Sequence, residues 1–560
     1  MMSAQTILKP EPPEKVDSSN ATRLGSQPYR ELTKGYLALG YQEGTNIIWS
    51  SQRRCVVHLD SNAINSVVLE THGGTRWLFD TYGEKTPEGG KKINLPKARS
   101  ELIAACAAAG RYNSAQAKGA GVWLIDIDGK PTLVANSGDS VFDQQGNNIP
   151  RASKSAVFAE GRCIGITPAG ATISQTEVKE LTELLETWNW ANKSDAAMLL
   201  GWIALSTFSG VIDRRPIFAV QSQPQCGKTT LTELIGNLLG TGRLNFIGAQ
   251  TTTAGITDQL QSDSLPVLLD EIFAAKDASP RDRDRVASLQ VLLRTAFGSG
   301  SDGIAKGTSD GRGVIYTTRF SAFIASRSFP AMDDRSRMAH CRLLPRTSET
   351  RKHPLMARPD LTSAIGNRMR NHMFKHWAAF EETAGNVREV FICDHGLSDR
   401  MFETLGQLIA AWHVLTEGTP ANLEQAKDLV AKFDLSTHVE RINGHSDERD
   451  CADWLMGYRP TSSAHSIGEL LRRAKDGHKD CMAVLEDCGI KIYDGYAQVC
   501  ASNSIKGLRE VFEGSNFGNA GWASMLAHVP GAKSTNPRFC GKTMRAIAVP
   551  LTWLFDEIPA

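Results

Sequence analysis

The chain has 560 residues, 41% apolar and 22% charged, with a formal net charge of +1. That length predicts three or four domains, and that apolar share lets each bury a core. The near-neutral balance excludes attraction to nucleic acid through the overall field, so any such affinity must come from local patches.

Residues 1–28 are rich in Pro, Ser, Lys and Glu without periodicity, and read as a disordered tail. No apolar core segment there marks a signal peptide. Eleven cysteines without a C-x-x-C pair argue against a zinc ribbon and for free thiols in a reducing cytoplasm. Residues 29–175 read as a small α+β domain. Its short strands are Ile47-Ile48-Trp49, Cys55 to Leu59, Val122 to Ile127 and Pro131 to Ala135, with a helix over Pro96 to Ala109. Asp128-Gly129 is a two-residue hairpin signal. Asp126 and Asp128 also have the spacing of a metal-binding carboxylate pair. No third ligand accompanies them, so the turn is the preferred reading.

A domain over 176–350 follows, opening with two helices, Thr176 to Asn192 and the apolar stretch Ala196 to Ile212. The apolar stretch falls short of the about 20 residues a bilayer requires, so it reads as a buried helix and no membrane partner is expected. The run Ile217 to Val220 then leads into Gln221-Ser222-Gln223-Pro224-Gln225-Cys226-Gly227-Lys228-Thr229-Thr230. Strand, loop and helix in this order are the context of a phosphate-binding loop. Backbone N–H groups and a helix N-terminus make a cradle for anionic oxygens. Lys228 is placed for the β- and γ-phosphates of ATP, and Thr229 for Mg2+. One departure stands out: Ser222 occupies the position of the pattern's first glycine. Downstream, Leu265 to Leu269 is an apolar strand that ends in Asp270-Glu271. Asp270 is assigned to the Mg2+ shell and Glu271 to the attacking water.

After a helix from Arg283 to Phe297, two short strands over 303–316 flank a glycine-rich turn bearing Asp310 and Arg312, with Lys306 on the ascending arm. It reads either as a hairpin or as an exposed surface turn. Phe320 to Ser326 forms another buried strand, and Ser326 is placed to orient water. Arg335 and Arg337 follow, suited either to a finger reaching a neighbour's nucleotide or to a solvated loop. Residues 351–445 are helical by period, as in Phe402, Leu405, Leu408, Ile409, Trp412 and Leu415. Residues 446–560 open with a capping box, Ser466 and Glu469, and continue with a helix near Cys481 to Asp487 and a hairpin through Asp494-Gly495. Their order suggests a winged-helix-like module. From Lys533 to Arg545 the chain carries Lys533, Arg538, Lys542 and Arg545 with no acid, either a DNA-contacting ribbon or a solvated loop.

Taken together, these motifs resemble the superfamily 3-type AAA+ helicase part of phage and prophage primase–helicase proteins. Leu39 to Thr45, Trp77, Thr253 to Ile256, Lys306 to Thr308 and Pro530 to Ala532 add to the similarity, which spans roughly residues 35 to 556. The resemblance implies an α/β AAA+ P-loop ATPase core with an N-terminal α+β domain, a helical region and a winged-helix-like C-terminal domain. It also implies ATP and Mg2+ as cofactors, a homo-oligomeric ring such as a hexamer, and single-stranded or forked DNA. A separate primase partner and a bacterial host cytoplasm are further expectations. Two other classes stay open: an ATP-switched replication initiator that does not unwind DNA, and an AAA+ remodeller of proteins.

Overall fold

A computed structural model describes residues 35–555 apart from 43, 88, 154–155, 223–225, 248–250, 272–279, 299–303, 308–312, 317, 327–335, 346–353, 437, 440–446, 514, 516 and 519–520. The predicted tail at 1–28 therefore lies outside the described residues. The chain forms two compact units, one of residues 1–117 and 149–159, the other of 118–148 and 160–560.

In the first unit, Tyr36–Gln42, Thr45–Ser50 and Cys55–Asp60 form an antiparallel meander. Helices Ser66–Gly73, Thr75–Tyr82 and Leu95–Ala109 accompany it. Tyr36, Ile48, Leu69, Leu78 and Leu102 are buried together in its core. Trp77 packs edge-on against Tyr36, with ring centroids 5.3 Å apart.

The second unit begins with another meander, Gly121–Ile127, Lys130–Ser137 and Ser140–Asp143. Asp128 and Gly129 form its first turn with φ of 53° and 78°, the left-handed pair that a tight hairpin requires. Asp126 Oδ1 accepts the Gly129 N–H at 2.8 Å, so this carboxylate caps a turn. The division between units thus passes through the predicted 29–175 domain. The physical reason is packing, since Val122, Leu133, Ala135 and Phe142 share a core cluster with the large sheet described next.

That sheet has five parallel strands in the order Leu244–Ile247, Val267–Asp270, Ala322–Ser326, Ile217–Ser222, Met338–Leu343. The inner strands are buried along their whole length and apolar until their carboxyl-terminal residues, Gln221-Ser222, Asp270 and Ser326, as burial on both faces demands. Helices Lys228–Leu239, Thr253–Leu260 and Pro280–Phe297 complete this mixed α/β layer. The apolar segment is a twelve-residue helix, Asp195–Ser206, buried on all sides. Gly201 permits its approach to the helix Gln407–Glu417, because a Cβ there would stand 2.1 Å from the Leu408 carbonyl oxygen. No helix among the described residues is long and apolar enough to cross a membrane. None of the eleven cysteines is bridged.

The helices Pro359–Lys375, Trp377–Glu389, Gln407–Glu417 and Leu423–Ala431 occupy the predicted helical region. The C-terminal part has its own core around Leu455, Leu471, Phe512, Trp522 and Val549. Three helices precede its first hairpin, Asp447–Gly457, Ile467–Lys475 and Lys479–Asp487. The hairpin Ile490–Tyr493 with Tyr496–Cys500 continues through Ala546–Pro550 to Lys533–Thr535 as a four-stranded antiparallel sheet. Two helices, Lys506–Phe512 and Gly521–Ala527, lie between, one more than the winged-helix-like order expected.

Candidate nucleotide site

The site sits at the carboxyl ends of three neighbouring strands, where ligands of open α/β sheets bind. Ile217–Ser222 runs between Ala322–Ser326 and Met338–Leu343, with Gln221 opposite Ser326 and Ser222 opposite Leu343. Asp270 ends the next strand outward, opposite Ala325. The strand ending in Ser326 thus separates the phosphate-loop strand from the acidic one.

Ser222 is still part of its strand, in extended conformation. A glycine's freedom at positive φ is therefore not needed there, which explains why serine can stand in the pattern's first glycine position. Gln223, Pro224 and Gln225 lie outside the described residues. Cys226 is buried. Gly227 has φ 88°, the left-handed conformation from which the helix Lys228–Leu239 starts. Thr230 is half-buried and Thr229 is exposed in the first turn.

The loop is gripped from outside. Trp188 donates its indole N–H to the Gly227 carbonyl at 3.1 Å. At the far end of the helix, Arg370 donates to the Leu238 carbonyl at 2.7 Å. Burial lowers the Arg370 guanidinium to about 10. Neither contact was legible in the sequence, since both partners are remote along the chain and neither lies in a recognisable motif.

Lys228 meets both carboxylates. Its Nζ lies 3.4 Å from Asp270 Oδ1 and forms an ion pair with Glu271. Adjacent strand residues normally face opposite ways. Glu271 escapes this because the strand has ended: its φ is 52°, and its N–H donates to the Ala325 carbonyl at 2.8 Å. A non-glycine residue in the left-handed region carries strain of the kind found at functional sites.

The donor set fits a phosphate-bound divalent cation. Asp270 Oδ1 is buried and accepts no hydrogen bond among the described residues, although the Lys228 ammonium is near. Ser222 Oγ and Ser326 Oγ are likewise buried without a hydrogen-bond partner among the described residues. Buried polar atoms of this kind call for an explanation, and a ligand is one.

Other predicted positions lie elsewhere. Lys306 is in the strand Ile304–Gly307, opposite Val314 of Gly313–Tyr316, so this hairpin exists in the backbone. Arg312 and Arg335 lie outside the described residues. Arg337 is half-buried just before Met338–Leu343. Arg342, to which the sequence assigns no role, forms an ion pair with Asp453 of the helix Asp447–Gly457.

In the C-terminal part, Arg538–Phe539 pairs with Lys542–Thr543. Their turn, Cys540-Gly541, has φ of 48° and 78°. Arg538, Lys542 and Arg545 are exposed, while Phe539 is buried. Lys533 is exposed, with its ammonium 4.8 Å from the centre of the Tyr496 ring. A hydrogen bond with Tyr496 raises the Lys533 ammonium above its ordinary value.

No family model matches the sequence, and no curated protein matches it. Among solved structures, the apo C-terminal region of NrS-1 aligns over 92% of this chain and 97% of its own, at 13% identity and TM-score 0.31. A full-length MCM homologue from Methanopyrus kandleri aligns over 56% and 76%, at 11% identity and TM-score 0.28. A protein from Cytophaga hutchinsonii solved as a candidate ATPase aligns over 46% and 84%, also at 11% and 0.28.

Proposed function

We propose that the chain hydrolyses ATP and uses the cycle to move along and unwind DNA during replication of a phage or prophage. The observation that carries the ATPase reading is the convergence of Lys228, Asp270 and Glu271 beside the left-handed Gly227. A lysine at a helix start facing two strand-end carboxylates suits phosphoryl transfer to water.

In this reading residues 222–230 wrap the phosphates, with backbone N–H groups and the helix N-terminus facing the anion. Lys228 offsets charge on the transferred phosphoryl group. Thr229 and Asp270 would hold Mg2+, which would offset charge on the phosphate oxygens. Glu271 accepts the proton of the attacking water, and Ser326 orients that water. Before nucleotide enters, Lys228 and Glu271 neutralise each other. Phosphate draws the ammonium away, which frees the carboxylate as a base.

The DNA-directed part of the reading comes from the resemblance and from two features. One is the hairpin carrying Lys306, for the pore of a ring, together with Arg312, which lies outside the described residues. The other is the exposed basic ribbon of Arg538, Lys542 and Arg545, with Lys533 on the adjoining sheet. A hexameric ring, with Arg335 or Arg337 completing a neighbour's site, belongs to the same proposal.

The test is strand displacement on a forked duplex. Unwinding is expected with ATP and Mg2+, and none with Lys228→Ala. ATP hydrolysis without strand separation would keep the ATPase and remove the helicase, leaving the initiator or remodeller.

A further inference from the structure

Away from the phosphate loop, three metal-ligating side chains meet in the interior. Asp195 opens the helix Asp195–Ser206, Cys341 belongs to the strand Met338–Leu343, and His438 follows the helix Leu423–Ala431. One ligand atom from each lies within 4.8 Å of the other two, and all three residues are buried. Asp195 Oδ1 lies 3.0 Å from His438 Nε2. Asp195 Oδ2 is buried and has no hydrogen-bond partner among the described residues. A wholly buried carboxylate with one oxygen unsatisfied is costly. The helix N-terminus beside Asp195 offsets only part of that cost.

We propose that Asp195, Cys341 and His438 bind a divalent transition-metal ion, zinc by the character of the donors. A thiolate and an imidazole select zinc over magnesium or calcium, which prefer oxygen alone. Charge agrees: a dication against one carboxylate, one thiolate and a neutral imidazole leaves the buried cluster neutral. An ion at zinc bond lengths of about 2.0–2.3 Å replaces the direct Asp195–His438 contact: both groups turn from each other to the metal, and Cys341 closes on it.

Three protein donors leave the ion's fourth position to a water, and their burial makes the site a clamp within the fold, separate from the nucleotide's Mg2+. Cys341 lies opposite Val220, in the strand beside the phosphate-loop strand. The ion ties that strand to the segment after Leu423–Ala431 and to the buried apolar helix. It thereby holds the sheet edge against the helical region.

The test is metal analysis of the full chain, purified without chelator from zinc-supplemented culture. One zinc per chain, retained through gel filtration, is expected. Exchange for Co2+ is expected to add a thiolate-to-cobalt band in the near ultraviolet. Cys341→Ala is expected to lose both metal and band while its circular dichroism stays that of a folded chain. Wild-type protein with no stoichiometric zinc and no cobalt–thiolate band overturns the proposal, and so does full zinc retention by Cys341→Ala. The wild-type measurements decide the question even if the variant does not fold. In that outcome the three residues are a hydrogen-bonded pair beside a packed thiol.

Discussion

The Lys228 ammonium is shared between two carboxylates, paired with Glu271 and 3.4 Å from Asp270 Oδ1. Under the proposed function, the cation for phosphate is thus held by the group that activates water. Glu271→Gln removes both the base and the competing anion. Its expected phenotype is turnover lower by about 10²–10⁴-fold, the usual worth of a positioned base, with ATP bound at least as tightly as in wild type. Nucleotide titration alongside steady-state ATPase measures both. Weaker binding by Glu271→Gln would assign the carboxylate to shaping the loop.

Trp188 fixes the other side of the loop through its N–H to Gly227 O. Trp188→Phe keeps most of the ring and deletes that donor. A buried hydrogen bond of this type is worth about 1 kcal/mol, or roughly five-fold in affinity. Nucleotide Kd is expected to rise by that factor, with little change in kcat. An unchanged Kd would reduce the tryptophan to packing.

These two contacts mark what the sequence could and could not disclose. The strand–loop–helix around Lys228 and the strand ending in Asp270-Glu271 are legible because local periodicity and motif spacing are properties of contiguous residues. So are the Asp128-Gly129 and Cys540-Gly541 turns, where two adjacent residues set the backbone. The left-handed backbone of Glu271 was not legible, because it follows from pairing with the strand ending in Ser326. Trp188 on Gly227, Arg342 with Asp453, and the Asp195–Cys341–His438 cluster each join remote segments, and one chain carries no sign of which remote residues meet. The 121–143 meander has ordinary strand patterning, and only its packing groups it with the parallel sheet.

Stability should depend on pH through Asp263. Its carboxylate accepts the Ala120 N–H at 2.8 Å, yet burial raises it from the usual carboxylate range to about 6. The folded chain therefore binds this proton more tightly than the unfolded chain does. The resulting stabilisation is complete below the unfolded value of about 4 and is lost as pH rises through about 6. Asp263→Asn keeps an acceptor for Ala120 and removes the titration. Its melting temperature is expected to exceed wild type by a few degrees at pH 8 and to converge with it near pH 4.5, roughly what a kcal/mol-scale change does to a unit of this size. Equal differences at both pH values would show that Asp263 does not titrate in this window.

The ring can be tested through mixing. Arg337→Ala protein is expected to lack ATPase alone and to regain part of it when mixed with Lys228→Ala. Mixed assemblies contain interfaces that join an intact loop to an intact arginine. No recovery, with subunit exchange demonstrated by labelled protein, would remove Arg337 from a neighbour's site and leave Arg335 to be tested in the same way.

The C-terminal ribbon yields the sharpest test of DNA contact. Arg538–Phe539 and Lys542–Thr543 pair across the Cys540-Gly541 turn, with Phe539 buried as the anchor and Arg538, Lys542 and Arg545 exposed. Lys491 stacks over Phe539 with its ammonium 5.6 Å from the ring centre, and Lys533 lies over Tyr496 on the adjoining sheet. Tyr493, two residues after Lys491 at the tip of the neighbouring hairpin, is 69% exposed and offers an aromatic surface. Basic side chains beside an exposed ring suit a phosphate backbone with a base stacked alongside. Each phosphate neutralised contributes about 0.7–0.9 to the slope of log affinity against log salt. Lys542→Glu with Arg545→Glu is therefore expected to weaken binding to every DNA sequence and to flatten that slope by about one to two units, with DNA-free ATPase intact. Tyr493→Ala is expected to weaken single strands by about 1–3 kcal/mol while leaving the slope unchanged, because stacking releases no counterions. Fluorescence anisotropy across a salt series separates the two effects. Affinity and slope that both survive the double charge reversal would return the ribbon to the solvated surface and place the DNA contact elsewhere.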